Sequence, residues 1–262
     1  MPDAELSEDG LAQAANILRS AGYAIALVGA GISAESGVPT FRGEGGLWKK
    51  YGEPDHRGFQ RFVEDPEEWW RNVIERRRSM PELTEALEKA EPNPAHLALA
   101  ELERMGLMKH VITQNIDDLH QRAGSLSVTE IHGNRYKARC VSCNERWPAS
   151  EIDMDDLPPP CPSCGSRLVK TDTVMFGEPI PEDALRECYR QTELCDAMFL
   201  VGTSAVVYPA ADFPVQALRM GARLVEINPE VTPLSSLCAV VFRAPAGQVL
   251  PALVQRVKEP AE

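Results

Sequence analysis

The chain has 262 residues, 44% of them apolar, which is enough for one large core or for one domain carrying a smaller one. Its formal net charge of -12 argues against a non-specific nucleic-acid binder and mildly favours cationic partners such as lysine-rich segments, although such acidity most often only serves solubility. No stretch approaches the roughly 18 consecutive apolar residues of a membrane span, and the seven cysteines do not form an even disulfide framework, so a soluble, cytoplasmic chain with no membrane partner is expected.

In chain order, Ser7 followed by Glu8 and Asp9 predicts the cap of a helix whose Leu11, Ala14, Ala15 and Leu18 recur at helical spacing up to Gly22. "YAIALVG" reads as a buried strand. It leads into Gly29-x-Gly31-x-x-Ala34, the spacing of a βα turn that lets backbone and a helix N-terminus approach a pyrophosphate. The same spacing occurs in turns without a ligand, and Ser33, Ser36 and Thr40 read equally well as loop polars. Dinucleotide folds also place an acidic residue about 20 positions on, at the end of the next strand. Here Glu53 and Asp55 fall instead in a charged, aromatic, helical segment from about Phe41 to Glu91, so a conventional dehydrogenase fits badly.

Alternation then resumes. "NPAHLALAELERMG" predicts an amphipathic helix, "KHVITQN" a strand, "NIDDLHQRAG" a short helix closed by Gly124, and "VTEIHG" another strand. From Tyr136 to about Val169 the pattern breaks into turns around cysteine pairs, before "DAMFLVGTS", "ALRMGARLVEIN" and "AVVFRAP" restore strand, helix and strand. Such alternation implies an α/β fold with a parallel sheet covered by helices on both faces.

"CVSC" and "CPSC", with 17 residues between them, place Cys140, Cys143, Cys161 and Cys164 at the spacing of a tetrahedral four-thiolate zinc site. Four sulfurs leave no open coordination position, so the zinc is expected to be structural. The intervening "EIDMDDLPPP" is acidic, which disfavours a nucleic-acid ribbon. Of the five histidines, His96 and His120 read as structural imidazoles on amphipathic helices, and His56 and His110 as surface residues. His132 follows the strand "VTEI" at the edge where open α/β sheets bind ligands; it is a candidate general base, with a structural role equally open. Asn115 and Asp117 in "TQNID" could contact a polar ligand or cap the following helix.

Taken together, "GAGISAESGVPTFRG", "TQNIDDLHQRAG", "HGN", the two cysteine pairs, "MFGE", "VGTSAVVYPA" and "EIN" resemble the sirtuins, NAD-dependent protein lysine deacylases, in the family's order and over nearly the whole chain. The resemblance implies a doubly wound, Rossmann-like large domain from residues 1–40, 92–135 and 170–262. The small domain would combine a helical insertion, 41–91, with a zinc module, 136–169. NAD as co-substrate and an acyl-lysine peptide would enter between them. By the same resemblance Gly29, Ala30, Gly31 and Ser33 approach the pyrophosphate, and Glu35 to Gly43 form a cofactor loop with Phe41 and Arg42 near the nicotinamide bond. Gln114, Asn115, Ile116 and Asp117 line the nicotinamide and ribose pocket, and Gly202, Thr203, Ser204, Asn228, Pro229, Glu230 and Ala246 surround the adenosine half.

The implied reaction consumes NAD. The acyl oxygen attacks the ribose C1′ as nicotinamide leaves, His132 then acts as base for the ribose hydroxyls, Asn115 positions a water or ribose hydroxyl, and water releases lysine and O-acyl-ADP-ribose. Val174, Phe176, Gly177 and Glu178 resemble the segment that pairs with the substrate peptide. Thr171 and Met175 depart from the family's usual residues there. Relatives that prefer succinyl or malonyl groups carry a Tyr-x-x-Arg pair in the helical module, where this chain offers Val73 and Arg76, so neutral acyl groups are expected, acetyl first. Two other readings use the same features: an ADP-ribosyltransferase, and a non-catalytic module that binds NAD or acyl-lysine.

Overall fold

The computed structural model describes residues 7–42, 46–52, 55–79 and 81–260; the side chains at 76–79 and 81–83, Arg76 among them, and the loop residue Gly43 lie outside the described residues. The helices are α1 (Glu8–Ser20), α2 (Leu47–Tyr51), α3 (Gly58–Glu64), α4 (Pro66–Ser79), α5 (Pro81–Lys89), α6 (Pro94–Arg104), α7 (Leu119–Arg122), α8 (Glu182–Leu194), α9 (Asp212–Arg219) and α10 (Ala246–Lys258). The strands are β1 (Ala24–Val28), β2 (Met108–Thr113), β3 (Val128–Glu130), β4 (Gly133–Cys140), β5 (Arg146–Pro148), β6 (Val169–Thr173), β7 (Ala197–Val201), β8 (Arg223–Ile227) and β9 (Val240–Phe242).

Six strands form a sheet in the order β3-β2-β1-β7-β8-β9, and every neighbouring pair in it is parallel. Both faces are covered, which is why β1 and β7 read as unbroken apolar runs. Successive residues alternate between faces. Ala24, Ala26, Val28, Phe199 and Val225 pack with Leu11 and Leu18 of α1, Leu99 of α6 and Leu250 of α10. Ile25, Leu27, Ile112, Met198 and Leu224 pack with Cys188 of α8 and Phe213 and Ala217 of α9. Ser7 caps α1 through a hydrogen bond from Gly10 N, 3.1 Å, as the sequence predicts.

Three differences from the sequence expectation bear on the site. The glycine-rich turn opens a short 3-10 helix, Ala30–Ser36, rather than an α-helix. The cysteine region is not all turns: β5-β4-β6 form an antiparallel sheet. Its apolar alternation is hidden because Arg139, buried on β4, is neutralised by Asp172 on β6, with Nε donating to Oδ1 at 2.7 Å. His110 is not a surface residue. It sits on β2, which is flanked by β1 and β3, and its ring bonds both Ser127 Oγ and Thr129 Oγ1 at 2.8 Å; burial pulls its pKa down to about 4. His96 and His120 are buried as expected, with pKa values lowered by burial to about 4 and about 3, but a hydrogen-bonded structural imidazole is found only at His96: neither ring nitrogen of His120 has a hydrogen-bond partner among the described residues.

Gly133, where the chain passes from the large sheet to the small one, has φ +76, and a Cβ there would lie 1.8 Å from the carbonyl oxygen of Asp172. Neither partner is a flexible side chain that could move aside. Gly133→Ala should therefore cost about 3 kcal/mol or more, from left-handed strain plus a backbone clash. Gly106→Ala, at φ +73 with open space around it, should cost about 1 kcal/mol. Urea titration of both variants checks this, and equal losses would contradict the clash.

Candidate active site

Parallel register brings the ends of four strands level: Val28 pairs with Thr113 on one side and Val201 on the other, and Val201 pairs with Ile227. The next residues along each chain are Gly29, Gln114, Gly202 and Asn228. Four separate candidates from the sequence thus share one edge, the C-terminal edge where open α/β sheets bind ligands. Asp117, Asn115 and His132 lie just beyond it.

These loops are tied to one another. Gly31 N donates to Gly202 O at 2.8 Å, and a Cβ on Gly31 would come 2.7 Å from Gly202 Cα, so the close approach of the two turns requires glycine. The Gly31 N–H is consequently taken by protein and not left to face a phosphate. Gln114 Nε2 donates to Val28 O (3.2 Å) and Thr203 Oγ1 (2.8 Å), and Asn228 Nδ2 donates to Thr203 O (2.9 Å). Ser204, Pro229 and Glu230 are exposed at the same edge, and Ala246 begins α10. Glu35 is exposed, and its Oε2 accepts from Gly247 N of α10 at 2.7 Å.

Beneath the edge runs a directed hydrogen-bond chain. His96 Nδ1 accepts from Asn93 N (3.3 Å), which leaves the proton on Nε2, 3.5 Å from Ser33 Oγ. Ser33 Oγ also accepts from Asn115 Nδ2 (3.0 Å) and donates to Asp117 Oδ2 (2.6 Å). Asn115 Nδ2 reaches Gly29 O at 3.2 Å, and Asp117 Oδ1 accepts from Leu119 N at 3.2 Å, so Asp117 also caps the start of α7. Burial raises the Asp117 pKa, opposed by the bonds from Ser33 and Leu119. His96 reads from sequence as structural, and Asn93 is not singled out there; the "NPAH" cap held their signal, since Asn93 Nδ2 also reaches across to Ile32 O at 2.7 Å.

His132 is half-buried, with Nδ1 3.1 Å from Gln114 O. A carbonyl only accepts, so Nδ1 carries the proton and Nε2 presents a lone pair. Burial lowers its pKa, and the bond to Gln114 partly opposes that. Its own carbonyl accepts from Val174 N at 2.9 Å, which joins the candidate base to the candidate substrate segment.

Around that segment lies an aromatic group that the sequence reading missed at Trp48. Trp48 lies tilted at 5.8 Å from Phe41 and edge-on at 5.7 Å from Phe176, and Arg42 lies 4.4 Å above its ring. His56 meets Phe176 at 5.5 Å, and Phe59 N donates to Phe176 O at 3.4 Å. Gly177 is exposed beside them. Glu178 differs: its side chain is 2% exposed and turned inward, so only its backbone is available at the surface. Val73 is half-buried on α4, the helix whose Trp70 indole donates to Val169 O of β6 at 2.8 Å. Ile116 O accepts from Arg135 N at 3.1 Å, where the segment after β2 meets β4.

The four cysteine sulfurs lie within 4.8 Å of one another, with Cys140 to Cys164 and Cys143 to Cys161 both at 3.6 Å. Tetrahedral zinc with Zn–S bonds of about 2.3 Å needs sulfurs about 3.8 Å apart, so the donor set fits one zinc ion in both chemistry and size. Two of the four are buried and two exposed. Among the described residues no helix is long and apolar enough to cross a membrane.

Residues 29–209 match the model of the Sir2 family. An NAD-dependent protein deacylase of Thermococcus kodakarensis is 46% identical over 95% of this chain and 96% of its own. NAD-dependent protein deacylase 2 of Archaeoglobus fulgidus is 45% identical over 96% and 97%. Among solved structures, a Sir2 homologue in complex with NAD superposes with a TM-score of 0.79 at 42% identity, covering 94% of this chain and 93% of its own. A Sir2 structure with p53 peptide and NAD+ gives 0.76 at 35% identity over 93% and 96%.

The metal should be structural in the strict sense. One zinc per chain should be released by a thiol reagent with a chromogenic chelator present, and the loss should be accompanied by unfolding of the β4–β6 sheet, read as exchange of its amide protons. Protection of those amides that survives complete zinc removal would contradict this.

Proposed function

The chain belongs to the Sir2 family and is an NAD-dependent protein deacylase, and from that premise we propose how its residues divide the work. The observation that carries the assignment is the single tautomer of His132: with Nδ1–H held by Gln114 O, the unprotonated Nε2 is the atom able to take a proton from a ribose hydroxyl. NAD is spent as a substrate, and the acyl-lysine oxygen displaces nicotinamide at C1′. Asp117, anchored by Ser33 and Leu119 N, receives the nicotinamide carboxamide through its remaining lone pairs. Asn115, bonded to Gly29 O and Ser33, positions a water or ribose hydroxyl. The turns holding Gly29 to Ser33, Gly202 to Ser204 and Asn228 to Glu230 form the floor for the dinucleotide, with Ala246 at its adenosine end. Phe41 and Arg42, resting on Trp48, shield the reacting bond from water.

The acyl-lysine peptide lies along residues 174–177 and is recognised chiefly through backbone, as an added strand. The part that contributes the zinc and helical segments, 41–91 and 136–169, serves as the second wall of the chamber, held to β6 by Trp70. Without a tyrosine at Val73 to share a carboxylate, the acyl pocket favours a neutral group, acetyl first.

Incubating an acetyl-lysine peptide with the protein should remove the acetyl mass only when NAD is present; transfer of ADP-ribose to protein instead would overturn the proposal. His132→Ala should lower kcat/KM by about 100- to 10,000-fold. Because only the neutral ring accepts a proton and burial lowers the His132 pKa, the wild-type rate should hold as pH falls through the free-imidazole value of about 6.5 and decline only below it. An acid limb centred at or above that value would contradict the assignment.

On one peptide carrying acetyl, propionyl, butyryl or succinyl groups, kcat/KM for acetyl should exceed that for succinyl at least about tenfold, the cost of placing an unpaired carboxylate in an apolar tunnel. A succinyl preference would refute the reading of Val73.

A further inference from the structure

Lys170 is a lysine with no exposed side-chain surface, on β6, in a protein whose other described lysines in ion pairs, Lys89, Lys137 and Lys258, are all substantially exposed. Its Nζ donates to Thr173 O at 2.7 Å and to Thr171 O at 3.2 Å, and pairs with Glu178 Oε2 at 3.0 Å. That carboxylate oxygen in turn accepts from Met175 N at 2.8 Å, while Glu178 N donates to Met175 O at 3.0 Å. The turn from 175 to 178 is therefore closed twice, once by backbone and once by a side chain that Lys170 holds in place. Glu178 Oε1 takes Arg139 Nη2; Arg139 Nε reaches Asp172 Oδ1 at 2.7 Å, and Asp172 Oδ2 takes Arg146 Nε at 2.8 Å.

Charges so fully removed from water lose much hydration, and well-packed apolar residues often stabilise a fold as well or better. Stability is thus a poor reason for the arrangement, and direction is the more informative feature. All three acceptors around Lys170 Nζ lie between residues 171 and 178, on the side of β6 that leads to the peptide-facing turn, whereas the cysteine loops lie at the other end. The turn is also tied to the catalytic histidine, since Val174 N donates to His132 O.

We propose that Lys170, acting through Glu178, is a positioning residue for the acyl-lysine peptide: the pair holds the backbone of 174–177 in the shape that receives the substrate strand. This rests on the deacylase reading and specifies how its substrate side is built. The Lys170 side chain has no exposed surface to offer either substrate and its Nζ is taken by Thr171 O, Thr173 O and Glu178, so its loss should act on peptide affinity through the turn and leave cofactor affinity in place.

The test uses the full chain as Lys170→Met, Lys170→Met with Glu178→Gln, and Lys170→Arg, each checked for one zinc and cooperative melting. Binding of a fluorescent acetyl-lysine peptide is read by anisotropy and NAD binding by calorimetry, beside steady-state kinetics. Peptide Kd and KM should rise about tenfold in the first two variants, with NAD Kd and saturated kcat within about twofold, and Lys170→Arg should recover most of the loss. Unchanged peptide affinity in a folded variant overturns the proposal. So does a parallel fall in peptide and NAD affinity, or the failure of all three variants to retain zinc and melt cooperatively, because each marks a role in folding alone. Wild-type protein that binds peptide without deacylating it would refute the deacylase reading, and the affinity comparison would still decide the role of Lys170.

Discussion

The parallel register of β2, β1, β7 and β8 is the constraint on which the site depends. Because their last residues are level, the four loops that follow start from one line and can bond to one another: Gly31 to Gly202, Gln114 to Thr203, and Asn228 to Thr203. A slip of one residue in any strand would reverse which face each side chain occupies, transferring Ile25 and Leu27 from one apolar cluster to the other. The core therefore enforces the register, and the register places the site. The chemistry inherits its precision from packing that is nowhere near the reacting atoms.

Within that frame the polar groups are arranged so that each has one available role. His96 can only donate toward Ser33, Ser33 then donates to Asp117, and the Gln114 carbonyl fixes His132 in the tautomer with a free Nε2. A buried imidazole or carboxylate without such partners would lose about 1–3 kcal/mol per unsatisfied group. Satisfying them in only one direction converts that penalty into preorganisation, since no proton or ring has to reorient when substrate arrives. Burial moves the two groups oppositely, raising Asp117 and lowering His132, and in both cases opposes the charged form. For the proposed role of His132 as base this is favourable, because only a neutral ring can accept a proton.

Much of the sheet and the zinc ligands could be read in the sequence for a common reason: their signals are local. "YAIALVG" and "DAMFLVGTS" are apolar runs long enough for a buried strand, and two Cys-x-x-Cys pairs state their chemistry by spacing alone. What escaped was non-local. Arg139 looks like a surface residue until Asp172, 33 positions away, is beside it, so β4 was hidden in "GNRYKARC". His110 looked exposed because nothing nearby in sequence announces that Ser127 and Thr129 will close over both ring nitrogens. Glu178, a member of a recognisable peptide-binding motif, faces inward for the same reason, its partners Arg139 and Lys170 being supplied by two other strands. The family resemblance points to that segment as a whole, while the inward direction of the Glu178 side chain depends on partners that the local sequence does not announce.

The proposed cofactor loop and peptide segment are also connected physically. Trp48 touches Phe41 of the one and Phe176 of the other, and Val174 N bonds His132 O. Aromatic contacts of this kind contribute about 0.5–1.5 kcal/mol each beyond area burial, enough to bias a loop and too little to lock it. The charged turn behind Phe176 is held by buried groups that each make more than one bond: Lys170 to Thr171 O, Thr173 O and Glu178, and Arg139 to Glu178 and Asp172. On the proposed reading, firmly bonded backbone on the peptide side thus stands opposite a loop held by aromatic contacts on the cofactor side. That asymmetry suits a reaction in which NAD must be sheltered from water while it is cleaved and its products must then leave.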